Sequence, residues 1–336
     1  MQNSFDEKIL EEANSWIESG QSAVLATVIQ TWGSSPRPVG SRMVVNQHGD
    51  FSGSVSGGCV ESAVVRECIE LLQNNNSHKT LEFKVSNESA WEVGLACGGE
   101  IAIYLENKLM QKNILQEALR LKKEKKEFSI ITNLENSKNY IYQPETILPQ
   151  EMDIFSDAIS SAFQKRRNGI LKDTKIFIEN YHRPIQVIIV GAVHIAQYVC
   201  EFAKHLNFEI IIIDPRGYFA SDKRFPNTQV INKWPNEAFE EIHLTKRSAL
   251  IALTHDPKID DPAIQQALKE NCFYIGALGS SKTHQNRCER LESAGFSQKQ
   301  IQSIFGPIGI RLGGRSASEI ALSIVSQLVS EVYKQK

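Results

Sequence analysis

From Gln186 onward the chain alternates short, wholly apolar runs with longer amphipathic ones. This alternation restricts the possible fold more than any other feature of the sequence. Val187–Val190, Glu209–Ile213, Ala249–Leu253 and Tyr274–Ala277 are apolar strand candidates, and Val230–Ile231 and Ile304–Phe305 are shorter ones. Runs this short, with no polar residue in alternation, fit strands buried on both faces. Ile195–Leu206, Asp261–Lys269, Thr283–Ala294 and Ser318–Tyr333 read as helices between or after them. Strand and helix in strict alternation predict a doubly wound parallel sheet with helices on both faces.

The chain ahead of Pro184 is patterned differently. Residues 4–19 place Phe5, Ile9, Ala13, Trp16 and Ile17 on one helical stripe, and Gly20 ends it. Ala23–Ile29 is a buried-strand candidate. Gly33-Ser-Ser-Pro-Arg-Pro-Val-Gly40 is a loop punctuated by two prolines and two glycines. Arg42–Asn46 and Phe51–Val55 read as a hairpin turning at His48-Gly49-Asp50. A helix is predicted over Cys59–Gln73, then strands at Thr80–Val85 and Ile101–Glu106. This gives an N-terminal α+β domain over residues 1–107 and a Rossmann-like α/β domain over 184–336. Between them, residues 110–127 read as a charged helix. Residues 128–183, polar and weakly patterned, read as a strand-rich extension and linker, so that 108–183 forms a middle segment.

Composition excludes several classes. The 336 residues carry a net charge of −2, which suits neither a nucleic-acid partner nor an anionic membrane surface. No signal-like segment opens the chain, and the apolar runs are too short to span a bilayer. Six cysteines without a C-x-x-C spacing give no zinc ribbon or thioredoxin-like site. A cytoplasmic protein with reduced thiols is expected. Cys68, Cys200, Cys272 and Cys288 fit small buried hydrophobes.

Three motifs carry chemistry. Gly53-Ser-Val-Ser-Gly-Gly-Cys-Val-Glu61 puts Cys59 at a predicted helix start behind small residues. Free N–H groups there form an anion site and acidify a thiol. Ser54, Ser56, Gly57 and Gly58, with Ser34, Ser35, Arg37 and Arg42 from the preceding loop and strand, are candidate ligands for a phosphate-bearing group. Simple N-capping is the alternative for the serines. Cys97, among glycines at 94, 98 and 99, is a second candidate reactive thiol beside Cys59. Sequence does not fix whether Cys97 nears Cys59; if it does, two soft thiolates would suit a soft metal such as molybdenum, or sulfur transfer.

In the C-terminal half, Gly191-Ala-Val-His194 follows the first strand, and Asp214 closes the second, twenty-three residues after Gly191. This frames a dinucleotide-binding βαβ unit, where the acidic residue takes a ribose hydroxyl. Val193 replaces the glycine that lets backbone approach a pyrophosphate, which weighs against NAD. Gly191, His194, Asp214, Arg216, Thr254, His255, Asp256, Gly279 and Ser280 should converge at the carboxyl edge of the sheet, where such folds bind ligands. Lys282 and Arg287 either pair with phosphate or form an ordinary charged helix start.

Together the segments 33–40, 53–61, Cys97-Gly-Gly99 and Gly191–Ala196 resemble the XdhC/CoxI family of molybdenum-enzyme maturation factors. The resemblance continues through Asp214–Ala220, Leu253–Pro262, Tyr274–Ser280 and Gly306–Ile310. It implies a chaperone for molybdenum cofactor, a metal held by the dithiolene of a pterin phosphate (molybdopterin). Such a chaperone protects its cargo while a cysteine desulfurase supplies the terminal sulfur. It then delivers the cargo to the apo-enzyme of a molybdenum hydroxylase of the xanthine or CO dehydrogenase type. It is an accessory factor, not itself a xanthine dehydrogenase. Cys59 is the expected molybdenum contact, and a homodimer is the expected assembly. Arg311, in Ile310-Arg-Leu-Gly-Gly314, departs from the acidic or polar residue expected there, and Val193 fits a CoxI-like branch. The competing readings are an NAD(P)-dependent oxidoreductase and an interaction protein without cofactor.

Overall fold

The computed structural model describes residues 4–33, 37–83, 99–107 and 112–334, with side chains from residue 8 onward. The chain divides into two compact units, Gln2–Arg183 and Pro184–Lys336. Among the described residues no helix is long and apolar enough to cross a membrane.

The first unit opens with α1 (Ser4–Glu18), β1 (Ala23–Trp32), β2 (Arg42–Asn46), β3 (Phe51–Gly53), α2 (Glu61–Gln73), β4 (His78–Phe83) and β5 (Glu100–Asn107). The strands form an antiparallel sheet in the order β3-β2-β1-β5-β4. β1 is apolar without alternation because both of its faces are covered. Val24, Ala26 and Val28 pack with Val64, Cys68 and Leu71 of α2. Ala23 and Leu25 pack with Ile9, Ala13 and Ile17 of α1. The predicted stripe of α1 is thus the buried one at these positions.

The rest of this unit is α3 (Lys112–Lys123), β6 (Phe128–Asn133), β7 (Asn139–Tyr142), α4 (Gln150–Asp153), α5 (Ser156–Gln164), β8 (Gly169–Ile170) and β9 (Ile176–Tyr181). The strands form a second antiparallel sheet, β7-β6-β9-β8. Its weak hydropathy signal has a cause: its buried strands carry polar residues that satisfy one another. Ser129 on β6 donates to Asn180 on β9 at 2.7 Å with both buried. Arg42 on β2 bonds Glu179 and Tyr181 on β9, tying the two sheets together.

The second unit contains β10 (Gln186–Val190), α6 (His194–Lys204), β11 (Glu209–Ile213), β12 (Gln229–Ile231), α7 (Pro235–Glu241) and β13 (Ser248–Ala252). It continues with α8 (Pro257–Lys269), β14 (Tyr274–Ala277), α9 (Ser281–Ser293), α10 (Gln298–Gln302), β15 (Ile304–Phe305) and α11 (Ala317–Lys334). All five strand pairs are parallel, in the order β12-β11-β10-β13-β14-β15. This is the Rossmann order, and the predicted fold class holds. Alternate residues of the central strands feed opposite cores. Val187 and Ile189 pack against α6 and α11, and Ile188 and Val190 against α8. Each fully buried Ile or Val there contributes about 1.5–3 kcal/mol. The order reverses between β10 and β13, so the loops leaving these strands flank a crevice at the carboxyl edge.

Candidate functional sites

The Ser54–Glu61 loop is built around one carboxylate. Glu61 Oε1 accepts from Ser54 Oγ at 2.7 Å, Val55 N–H at 3.2 Å and Ser56 N–H at 2.9 Å. Its Oε2 accepts from Ser56 Oγ at 2.5 Å and Gly58 N–H at 2.9 Å. Gly57 N–H goes to Ser54 Oγ and Val60 N–H to Ser56 Oγ. The donors that Ser54, Ser56 and Gly58 offer to a phosphate are therefore engaged by the chain's own anion, and that of Gly57 by Ser54. Burial alone would raise the Glu61 pKa. The hydrogen bonds from Ser56 and Ser54 outweigh it and bring the pKa down to about 2. Glu61 belongs to the quoted motif but escaped notice as a functional residue. The signal was an acidic residue seven positions beyond Ser54 and three beyond Gly58.

The helix expected from Cys59 starts at Glu61 instead, with Val60 at its N-cap. Cys59 therefore precedes α2 and does not occupy its first turn. Its side chain is half-buried, free and packed on the α2 core. Gly53 is obligatory here. Its φ is +87°, and a Cβ would fall 2.4 Å from the Arg42 carbonyl oxygen. That same carbonyl accepts from Ser54 N–H at 2.9 Å.

Arg37 Nε donates to the Ser54 carbonyl at 3.2 Å, so the Gly33–Gly40 loop does meet the cysteine loop. Arg42 does not present itself to a ligand. It is 3% exposed, and its guanidinium faces Glu179 and Tyr181. Ser34, Ser35 and Cys97 lie outside the described residues. Of the four thiols expected in the core, Cys68 and Cys200 are buried, while Cys272 and Cys288 are half-buried against it; burial pushes Cys68, Cys200 and Cys272 up to about 12 and raises Cys288 as well.

In the Rossmann unit, Gly191 takes φ +109°, and a Cβ there would lie 2.7 Å from Thr254 Cγ2. The β10 and β13 loops thus touch at the crevice. His194, the first residue of α6, is exposed and packs edge-on against Tyr198. Asp214 is 0% exposed. It accepts from Ala192 N–H at 2.8 Å and takes the Arg216 guanidinium in a fork, at 2.9 and 2.8 Å. Burial pushes its pKa up, but the hydrogen bonds from Arg216 and Ala192 prevail and hold it low. The ribose-binding acid of a dinucleotide site is here a buried brace for the glycine turn.

The β13 loop is more open. His255 sits at φ +63°, a left-handed conformation costly for a residue with a Cβ. Asp256 caps α8 by accepting from Lys258 N–H at 2.9 Å. Asp260, which sequence reading missed as a site residue, is buried. It accepts from Thr254 Oγ1 at 2.6 Å and from His255 N–H at 3.1 Å. Burial raises its pKa despite those bonds. Gly279 leads into Ser280, whose side chain caps α9 by accepting from Thr283 N–H at 3.1 Å. A cavity of ≈250 Å³ opens between these two loops, lined by His255, Asp260, Ser280, Lys282, Arg287 and Arg290 among others.

Comparison with known proteins bears on both units. A model of the XdhC and CoxI family matches residues 16–84, and a model of the XdhC Rossmann domain matches residues 187–328. The two together span more than half of the chain. The chain belongs to the XdhC and CoxI family. Cys59 falls in the first match and the whole Rossmann crevice in the second. Over 96% of its length this XdhC/CoxI protein is 27% identical to the molybdenum cofactor insertion chaperone PaoD of Escherichia coli, covering 87% of that protein. It is also 27% identical to a probable xanthine dehydrogenase subunit of Bacillus subtilis, across 93% of this chain and 94% of that one. A crystal structure from Bacillus halodurans, described as a xanthine dehydrogenase, superposes with a TM-score of 0.77. It covers 97% of this chain and 96% of its own at 22% identity, a likeness of fold.

Proposed function

We propose that this protein is a molybdenum-cofactor insertion chaperone serving a molybdenum hydroxylase. The observation that carries the reading is the alignment with PaoD along nearly the whole chain. The cargo is a pterin phosphate whose dithiolene already ligates the metal. Among the described residues no group of three or more His, Cys, Asp or Glu side chains is placed to cage a metal ion. A carrier that must release its cargo has no need of such a cage. One half-exposed thiol, Cys59, at the end of a loop rigidified by Glu61, is a suitable soft contact for molybdenum or its sulfur. Cys97 is its candidate partner thiol.

On this reading a cysteine desulfurase supplies the terminal sulfur while the cargo is held, and the apo-hydroxylase then receives it. A reducing cytoplasm suits the free cysteines among the described residues. A homodimer is the assembly we propose. The N-terminal segment, residues 1–107 with the 108–183 extension, would carry the thiol site. Residues 184–336 would carry the crevice at Gly191, His194, Thr254, His255, Asp256, Gly279 and Ser280. An NAD(P)-dependent oxidoreductase is disfavoured, because Asp214 is committed to Ala192 and Arg216.

The test is reconstitution of an apo molybdenum hydroxylase with the cofactor-loaded protein. Wild type should restore activity, and Cys59→Ala should restore at most about a tenth of it, with unchanged unfolding. Equal activation by the two proteins would remove Cys59 from the mechanism.

A further inference from the structure

Two stretches of surface expose apolar side chains beside charges that the fold does not engage. Among the described residues Ile147 is 94% exposed and Ile154 84%, values that only Tyr218 exceeds among the large apolar side chains. The next, Phe51 and Tyr333, stand at 53%. Apolar residues scattered singly over a surface are ordinary, but here two of the three most exposed share one short segment. The other apolar residues of that segment belong to the core beneath it: Met152 is buried, and Leu148 and Phe155 pack beside it. Glu151 is committed too, accepting from Tyr140 on β7 and, at 3.2 Å, from Lys138. The segment is thus anchored with both isoleucines outside. Glu145, Asp153 and Asp157 are exposed on it and form no ion pair among the described residues.

The loop ahead of α11 is its opposite in charge. Residues 310–316 are exposed throughout, yet both ends of the loop are fixed. Ile310 N–H donates to the Ser323 carbonyl at 3.3 Å, and Ser323 Oγ donates back to the Ile310 carbonyl at 2.5 Å. At the other end Glu319 Oε2 accepts from the N–H groups of Arg315 and Ser316 at 3.1 and 3.0 Å. A Cβ at Gly314 would fall 2.5 Å from Glu319 Cδ, so the loop lies directly on the first turns of α11. Ile310, Leu312 and, on α11, Leu322 are exposed. Arg311 and Arg315 stand among them and form no ion pair among the described residues.

One surface is acidic and apolar, the other basic and apolar, and each is held on a fixed backbone. Fixed loops lose little freedom on docking, which favours association. We infer that the two cover each other between copies of this chain: the Glu145–Asp157 segment of one protomer docks on the Ile310–Arg315 loop and Leu322 of its partner.

The occupant is a second copy because the chain carries both complementary halves. A two-fold axis satisfies them together, since each protomer then gives one acidic segment and receives one. Making the contact twice also doubles the area, toward the roughly 1,200–2,000 Å² that a stable interface buries. The isoleucines and leucines supply the apolar burial, and the charges set the register and reject a match of like with like. The ion pairs form between exposed side chains, so salt weakens the association. The inference rests on the homodimer of the proposed function, whose surfaces it names, and is independent of the cargo.

The experiment is sedimentation velocity of the full-length protein at micromolar concentration and low ionic strength. Wild type should be a dimer whose dissociation constant rises with salt. Glu145→Lys/Asp153→Lys and, separately, Arg311→Glu/Arg315→Glu should each weaken self-association about tenfold or more. The thermal midpoint of the monomer should not move, because all four side chains are exposed. An equimolar mixture of the two reversed proteins should recover wild-type association, since each reversed surface then meets its opposite. Ile147→Ser/Ile154→Ser should weaken the dimer and leave its salt dependence in place. A dimer that neither reversal weakens, or reversed proteins that stay apart when mixed, overturns these surfaces and leaves the homodimer standing. A monomeric wild type overturns both; binding of apo-hydroxylase by wild type but not by Arg311→Glu/Arg315→Glu would then assign the loop to the hydroxylase. No readout here involves molybdopterin, so failure of these surfaces and failure of the chaperone reading remain distinct.

Discussion

The Ser54–Gly58 loop and the Ser280–Thr283 turn look alike in sequence: serines and glycine leading into an amphipathic helix. In the structure they are opposites. At the first, five donors converge on Glu61, seven residues beyond Ser54, and the loop is closed by its own anion. At the second, Ser280 satisfies only Thr283, while Lys282 and the Arg287 Nε remain without acceptors among the described residues. The difference is one internal carboxylate. A row of backbone donors reads as an anion site only until the chain's own acids have been counted. The two loops should accordingly respond differently to loss of their charged residue: the first should lose stability with Glu61, and the second should keep it without Lys282.

The largest effect is expected beneath the closed loop. The Arg42 backbone supports Ser54, and its side chain pairs with Glu179 while both are almost fully buried. Arg42→Ala should cost about 3–5 kcal/mol by stranding that carboxylate. Urea unfolding of the full chain measures this, and the Arg42→Met/Glu179→Leu pair should recover most of it. A loss under about 1 kcal/mol in Arg42→Ala would mean that the tie between the sheets is dispensable.

Glu61→Ala should come next, at about 3 kcal/mol, because the amides of Val55, Ser56 and Gly58 lose their acceptor. The same carboxylate gives an acid signature. Its folded pKa, about 2, lies below the ordinary 4.5, so its contribution is complete above pH 4.5 and is lost as pH falls toward 2. Glu127, likewise lowered to about 2 by its hydrogen bond with His182, adds to the wild-type slope. Glu61→Gln should therefore flatten the fall in urea midpoint over that window without abolishing it. An unchanged slope would contradict the hub. The smallest effect on stability belongs to Lys282→Ala, within about 0.5 kcal/mol, since nothing in the fold leans on it.

The same contrast explains what was legible beforehand. The strands Arg42–Asn46, Glu209–Ile213, Tyr274–Ala277 and Ile304–Phe305 begin and end where the sequence places them. All but Arg42–Asn46 are short runs, apolar throughout except for the leading Glu209, in the middle or at the edge of a doubly covered sheet. The second sheet of the first unit was only dimly visible. Ser129, Glu179 and Asn180 are polar residues buried in mutual hydrogen bonds, so hydropathy hides them. The Rossmann edge was found because strand ends fix its position. Arg287 was not separable from an ordinary charged helix start, since its burial and its bond to the Leu278 carbonyl arise only in the folded chain. Asp214 was located correctly and read for the wrong task, because its burial under Ala192 and Arg216 is a tertiary fact.

The most direct measurement on the central claim is mass spectrometry, under mild conditions, of the full-length protein purified from molybdenum-replete cells. The account predicts bound molybdopterin, falling about tenfold or more in Cys59→Ala at equal yield and equal thermal midpoint. Wild-type protein free of molybdopterin, or a variant that carries as much as wild type, would contradict it.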